Sequence, residues 1–122
     1  MEVLLMALMF LESSNDPNAV NGEAVGILQI TPIYLEDVNR ILGYPAFSLD
    51  DRLDVEASKE MATIYLQHYG AEYEMMTERQ LAMIHRGGQS GWLNYGRYGD
   101  NAELVMRTIR MMQEKPKGVP VT

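Results

Sequence analysis

The sequence predicts a mainly α-helical domain of about five helices with one short β or extended element. Three observations indicate this fold class. Apolar residues recur at helical spacing in several segments, helix start and stop signals bound those segments, and only residues 25–30 form a β-branched run. The 122 residues, of which 47% are apolar and 22% charged, have the size and composition of one globular domain.

The first predicted helix is the continuous apolar segment at residues 3–11, which ends near Glu12 or Ser13 because turn formers follow at 15–18. This segment is as apolar as a signal peptide, but it lacks a basic start and a small-residue cleavage site. It is also too short to span a bilayer. We therefore expect a buried helix of the fold, with no signal peptide visible in this chain and no membrane span.

Capping signals predict the second and third helices. Thr31 is suited to an N-cap with Pro32 at the first helical position, and the helix that they open stops at Gly43. After a loop, Asp54 is suited to cap a third helix that ends at Gly70. The run at residues 25–30 is then a short strand or an extended loop ahead of the second helix.

Two capping-box spacings predict the fourth and fifth helices. Thr77 with Gln80 precedes a helix that breaks at Gly87, and Asp100 with Glu103 has the same spacing ahead of the last apolar stripe. The final eight residues are rich in Pro and Gly, which favours a flexible tail. We therefore expect one domain over residues 1–114 and a tail over residues 115–122.

Composition excludes several classes of function. Ten Lys and Arg against 17 Asp and Glu give a net charge of −7, which argues against nucleic acid as a partner. The absence of cysteine excludes disulfides, thiolate metal sites and a cysteine nucleophile. The two histidines do not form a zinc-binding His-Glu-x-x-His pattern, so we expect no metal and no cofactor. We expect a monomer.

Glu12 is the most informative residue for chemistry. It follows nine apolar positions, so its carboxyl group emerges from the end of a buried helix close to the core. Burial and the negative end of the helix dipole both favour the protonated form of such a group, which is what a general acid requires. The alternative is an ordinary glutamate at a helix end that points into water.

Other segments offer polar groups that suit a carbohydrate. Gly26 permits a close backbone approach, and the Gln29 amide can both donate and accept hydrogen bonds. The alternative for this segment is an ordinary strand with a bulge, which would have the same sequence. His85 and Arg86 are candidates to contact a sugar or peptide carboxylates, and the alternative for Arg86 is a helix-end side chain in water. Tyr98 lies in a segment rich in Gly and aromatics that suits stacking on sugar faces or anchoring of a surface loop.

Considered together, these segments resemble a known family. Glu12-Ser13-Ser14 followed at short spacing by Gly26-Ile-Leu-Gln-Ile30 is similar to the ES…GLMQI signature of the lysozyme-like lytic transglycosylases of the soluble (SLT) type. Residues 81–88 stand where that family carries an Ala-x-x-x-Asn-Gly type motif. Here the chain departs from the pattern, because His85 and Arg86 occupy positions where an aromatic residue and then Asn are usual.

The resemblance implies a lysozyme-like α fold around a sugar-binding cleft and cleavage of the β-1,4 bond between N-acetylmuramic acid and N-acetylglucosamine in peptidoglycan. Glu12 matches the family's catalytic acid/base, and Ser13 matches the residue that helps to hold it. Three residues match the segment that lines the cleft: Gly26, Ile27 and Gln29. Tyr98 is a candidate for the family's cleft tyrosine. The family's reaction closes a 1,6-anhydro ring on the muramyl sugar without water.

Two alternatives stay open at this point. A lysozyme that hydrolyses the same bond with water uses a second carboxylate, and Asp16 and Glu23 lie near Glu12 in the sequence. A non-catalytic lysozyme-like module would bind glycan without a working glutamate. Because the substrate is the cell wall, we expect action outside the cytoplasm, by a phage or prophage lysis enzyme or by one domain of a larger cell-wall protein.

Overall fold

The computed structural model describes residues 1–71, 77–88 and 95–114, and this part of the chain contains five α-helices and one two-stranded hairpin. The mainly α-helical fold class is thereby confirmed. The elements in chain order are α1 (Glu2–Ser13), β1 (Val20–Asn21), β2 (Ala24–Val25), α2 (Pro32–Leu42), a short 3-10 helix (Leu49–Leu53), α3 (Val55–Ala71), α4 (Glu78–Gly87) and α5 (Tyr95–Gln113).

Helix α1 contributes one apolar face to the core. Leu4, Leu5 and Leu8 are buried, and the helix packs against α4 and α5. Its opposite face carries Met6 and Phe10, which are exposed. The expectation of a buried helix therefore holds for one face of α1. No helix in the described part of the chain is both long enough and apolar enough to cross a bilayer.

The capping signals of α2, α3 and α4 are confirmed. The Thr31 side chain accepts a hydrogen bond from the Tyr34 amide at 3.2 Å, and α2 ends at Gly43, which has a left-handed φ of 83°. Asp54 accepts from the Ala57 amide at 2.9 Å and so caps α3. Thr77 and Gln80 cap each other's backbone at the start of α4, as the capping box predicts.

The predicted start of the last helix at Asp100 is wrong. Helix α5 begins at Tyr95, so Asp100 and Glu103 lie inside it. Glu103 instead forms an ion pair with Arg79 of α4, 2.6 Å from the guanidinium Nε. Glu103 therefore joins α5 to α4 instead of capping a helix. The predicted tail at residues 115–122 lies outside the described residues, so the domain division remains a prediction.

The run at residues 25–30 is mostly a turn rather than a strand. Only Val25 belongs to β2, and the segment folds back so that Val25 and Ile30 exchange backbone hydrogen bonds of 3.2 and 3.1 Å. Gly26 has a left-handed φ of 89°, and a Cβ atom there would lie 1.8 Å from the Arg52 carbonyl oxygen. The close approach anticipated at Gly26 is thus an approach to the 3-10 helix.

Arg52 fastens this turn to the rest of the fold. Its Nη1 donates to the carbonyl oxygens of Glu23 at 3.0 Å and Ile30 at 3.1 Å. The Arg52 carbonyl accepts from the Ser58 hydroxyl of α3 at 3.0 Å. One residue of the 3-10 helix therefore positions the hairpin and the turn that follows it, and these two elements form one wall of the candidate site.

Candidate active site

A cavity of about 740 Å³ opens where the end of α1 meets the hairpin, α2, α3 and α4. Its lining combines carboxylates, amides, guanidinium groups and tyrosine rings, which is a mixture suited to a polar ligand with apolar faces. The lining residues are Glu12, Asn21, Ala24, Gln29, Thr31, Ile33, Tyr34, Glu36, Asp37, Arg40, Tyr65, His85, Arg86 and Gly88.

The carboxyl group of Glu12 lies at one end of this cavity. Helix α1 ends one residue later because Ser14 takes a left-handed conformation with φ 55°, and the Ser14 amide donates to the Phe10 carbonyl at 2.8 Å. The Glu12 side chain is only 7% exposed. Its Oε2 lies 3.3 Å from the Arg86 guanidinium, whereas its Oε1 is buried with no hydrogen-bond partner among the residues that the structure describes.

Ser13 joins the end of α1 to the turn at Gly26–Gln29. Its hydroxyl lies 2.7 Å from the Ile27 carbonyl oxygen and 3.0 Å from that of Met9, one turn back in the helix. Both oxygens are acceptors, so the hydroxyl is the donor. The contact with Ile27 fixes the residue next to Glu12 against the turn.

His85 is a buried link between three elements. The Leu28 carbonyl oxygen lies 3.1 Å from its Nε2, and a carbonyl only accepts, so Nε2 carries the proton. The other ring nitrogen, Nδ1, therefore accepts from the Tyr34 hydroxyl at 3.0 Å. Burial lowers the pKa of His85. The imidazole is consequently a neutral tie between α4, α2 and the turn, with both nitrogens occupied inside the protein.

The far end of the cavity is a network of tyrosines around Asp37. Tyr34 stacks on Tyr65 with ring centroids 3.9 Å apart, and Tyr65 meets the edge of Tyr69 at 4.8 Å. The Tyr69 hydroxyl donates to one oxygen of Asp37, and the Arg40 guanidinium donates to the other. Burial and the hydrogen bond to Asp37 raise the pKa of Tyr69 to about 12. Burial likewise raises the pKa of Tyr34 well above its ordinary value.

The predicted site residues fall into three groups. Four line the cavity: Glu12, Gln29, His85 and Arg86. Three lie behind the lining and shape it: Ser13, Gly26 and Ile27. Tyr98 is half-buried beside Gly87 and is not among the lining residues. Asp16 and Glu23 are exposed and also lie outside the lining set.

Sequence reasoning missed the far end of the cavity. Tyr34, Asp37 and Arg40 are spaced three residues apart on α2, and Tyr65 and Tyr69 are spaced four apart on α3, so each set shares one helical face. This polar and aromatic spacing was the signal that could have identified them. The sequence does not say that the two faces meet, because that depends on how α2 packs against α3.

The fold and the cavity together define a class of protein. A mainly α-helical domain, with a short hairpin beside an open cavity and a buried glutamate at the end of its first helix, is lysozyme-like in architecture. The family model described as the transglycosylase SLT domain matches residues 1–106, and the chain belongs to this family. No curated protein and no solved structure gives a significant match. The family assigns the chain a lytic transglycosylase type of function on cell-wall peptidoglycan.

Proposed function

We propose that this protein is a peptidoglycan lytic transglycosylase that cleaves the β-1,4 bond between N-acetylmuramic acid and N-acetylglucosamine and leaves a 1,6-anhydromuramyl end. The observation that carries the proposal is the state of the Glu12 carboxyl group. It is 7% exposed, it lines the cavity, and its Oε1 has no partner among the described residues. A buried polar atom that has no partner among the described residues needs an explanation, and in this proposal the explanation is a contact with the reacting sugar.

Glu12 performs two proton transfers in the proposed reaction. Its carboxyl group first donates a proton from Oε1 to the glycosidic oxygen, and the bond between that oxygen and the anomeric carbon of the muramyl sugar breaks. The resulting carboxylate then accepts the proton of the C6 hydroxyl while the C6 oxygen bonds to the anomeric carbon. The glutamate is regenerated in its protonated form, and no water is consumed.

Arg86 supports the intermediate stage of this sequence. Its guanidinium lies 3.3 Å from Oε2, so it stabilises the carboxylate that the first proton transfer produces. Because this contact occupies Oε2, the oxygen left for the substrate is Oε1. Arg86 is itself 48% exposed, and in the proposal it also faces the glycan.

The remaining predicted residues have supporting roles in this proposal. Ser13 holds the end of α1, Gly26 and Ile27 form the turn behind the cavity, and His85 ties that turn to Tyr34. Tyr98 packs beside Gly87, the last residue of α4, and supports the helix that carries Arg86.

The other carboxylates near the cavity bear on the choice between transglycosylation and hydrolysis. A hydrolysing glycosidase pairs its acid with a second carboxylate that activates water or stabilises the sugar cation. Asp16 and Glu23 do not line the cavity, and both oxygens of Asp37 are engaged by Tyr69 and Arg40. Glu36 is the remaining carboxylate of the lining, and it is exposed, whereas the Glu12 side chain is buried. We therefore propose a mechanism with Glu12 alone, and the chemistry of the fragment ends distinguishes it from hydrolysis with Glu36 as the second carboxylate. The site of action that we propose is the cell wall, outside the cytoplasm.

The test is digestion of purified peptidoglycan followed by mass spectrometry of the fragments. We expect anhydromuramyl ends from the unaltered protein and from Glu23→Gln, which replaces an exposed carboxylate outside the cavity, and none from Glu12→Gln. Reducing muramyl ends from the unaltered protein would assign a hydrolysing lysozyme instead. Glycan that is bound but left intact would assign a binding module.

A further inference from the structure

The guanidinium of Arg86 places a positive charge at the Glu12 end of the cavity, in a position where the family usually carries an uncharged Asn. Its hydrogen bond among the described residues runs from Nη2 to Glu12 Oε2 at 3.3 Å. A guanidinium has five N–H donors, so most of the donors of Arg86 have no acceptor in the described part of the chain. The side chain is 48% exposed, and a ligand in the cavity can therefore reach these donors.

The second guanidinium of the cavity lining, that of Arg40, is committed to the protein. Its Nε donates to Asp37 Oδ1 at 2.9 Å, and its Nη2 donates to the same oxygen and to the Tyr69 hydroxyl. The charge of Arg40 is thus compensated by a carboxylate that takes no part in the proposed reaction. Of the two guanidinium groups, Arg86 has more donors available for a ligand.

The proposed reaction changes the charge that faces Arg86. Glu12 has to carry a proton to act as the acid in the first step, and a protonated carboxyl group no longer compensates the guanidinium. The other carboxylates of the described lining do not replace it, because Asp37 is paired with Arg40 and Glu36 forms no ion pair with Arg86. At this stage a negative group on the substrate would supply the missing charge.

Peptidoglycan carries carboxylates that match this requirement. The C3 oxygen of the muramyl sugar bears a lactyl ether, which ends in a free carboxylate where the stem peptide has been removed. Where the peptide is present, this carboxyl group is an amide, and the carboxylates belong to the peptide. A guanidinium is suited to either group, because its planar fork of donors matches the two oxygens of a carboxylate.

We propose that Arg86 is a specificity-determining residue that binds a carboxylate of the peptidoglycan strand while Glu12 is protonated. The carboxylate comes from the lactyl ether or from the stem peptide, and the probes below distinguish these sources. The inference rests on the proposed function, because it requires muramyl glycan in this cavity and a protonated Glu12.

The experiment measures oligosaccharide binding by calorimetry in a Glu12→Gln background, because glutamine is uncharged like the protonated acid and prevents turnover. The reference probe is a tetrasaccharide of alternating N-acetylglucosamine and N-acetylmuramic acid whose lactyl groups are carboxamides. One test probe has free lactyl carboxylates, and the other carries L-alanyl-D-glutamate on the lactyl groups. We expect at least one test probe to bind about three- to tenfold more tightly than the reference.

Substitutions at position 86 test whether this preference comes from Arg86. We expect Arg86→Gln to abolish the preference, and we expect Arg86→Lys to retain part of it, since lysine keeps the charge without the fork of donors. Arg107→Gln is the matched control, because Arg107 is an exposed arginine of α5 that does not line the cavity. We expect the control to leave the preference unchanged.

The test probe that binds more tightly identifies the source of the carboxylate. Equal binding of all three probes, or a preference that persists in Arg86→Gln, would overturn the inference. Either result would leave the proposed function standing, since that is tested on the ends of the peptidoglycan fragments. If neither the three probes nor insoluble peptidoglycan bound the Glu12→Gln protein, both would be overturned.

Discussion

At one end of the cavity Glu12 keeps an oxygen without a partner among the described residues, whereas at the other end Asp37 has a donor on each of its oxygens. Both carboxylates are largely buried, with side chains 7% and 20% exposed. The two carboxylates are therefore similar in burial and differ in whether their oxygens have hydrogen-bond partners. An unsatisfied buried acceptor costs stability, so its retention suits a group that works on a ligand.

The satisfied end has a different role. Asp37 lies on α2, while Tyr69 lies on α3, so the hydrogen bond between them joins the two helices. The stacked rings of Tyr34 and Tyr65 join the same two helices beside it. We infer that this end maintains the shape of the cavity. The comparison predicts that substitutions at the Glu12 end reduce rate, whereas substitutions at the Asp37 end reduce stability.

The largest expected effect is on rate, in Glu12→Gln. The amide has the shape of the carboxyl group but neither donates nor accepts a proton in the reaction, so we expect release of soluble fragments from peptidoglycan to fall about 10²- to 10⁴-fold. The free energy of unfolding, measured by urea denaturation, should not fall by more than about 1 kcal/mol, because among the described residues the Glu12 carboxylate has only one partner, the half-exposed Arg86. Loss of stability with retained rate would reverse the comparison.

The next effect is on stability, in Asp37→Ala. This change removes the acceptor of the Tyr69 hydroxyl and leaves the Arg40 guanidinium with only the Tyr69 oxygen, and we expect a loss of about 1–3 kcal/mol in the free energy of unfolding. Glu36→Ala is the matched control, because Glu36 is the neighbouring exposed carboxylate. We expect that control to change stability by about 0.5 kcal/mol or less. Equal effects of the two variants in urea denaturation would show that the network around Asp37 does not hold α2 to α3.

The two ends also differ in how far the sequence predicts them. Glu12 was found because an apolar helix, a terminal glutamate and the turn after Gly26 are all local features of the chain. The caps at Thr31, Asp54 and Thr77 were found for the same reason. Such signals depend on neighbours within a few residues, and the structure realises them nearly unchanged.

The Asp37 end was missed because it depends on packing between distant segments. Asp37 and Tyr69 lie 32 residues apart, and His85 lies 51 residues from Tyr34. The same limit applies to Asp100 and Glu103, whose local capping pattern lies inside α5 and whose glutamate pairs with Arg79 of the distant α4. Hydrogen-bond partners that are far apart in the chain carry no signal in a single sequence.

The smallest expected effect is a dependence of stability on pH, and it comes from His85, which connects the two ends of the cavity. Burial lowers the pKa of His85 below its ordinary value of 6.5. As the pH falls below about 6.5, the unfolded chain therefore binds a proton at this histidine before the folded chain does. The contribution of neutral His85 to the free energy of unfolding is fully present above that pH. Below it, the contribution is lost by up to about 1.4 kcal/mol per pH unit.

His85→Gln isolates this contribution. A glutamine can donate to the Leu28 carbonyl and accept from the Tyr34 hydroxyl, as the neutral imidazole does, but it does not titrate. Urea denaturation at pH 7.5 and pH 5.5 should therefore show a smaller loss of stability at the lower pH in the variant than in the unaltered protein. If both proteins lost the same stability between these pH values, folding would not lower the pKa of His85. The tie between the Glu12 end and the Asp37 end would then not depend on a neutral imidazole.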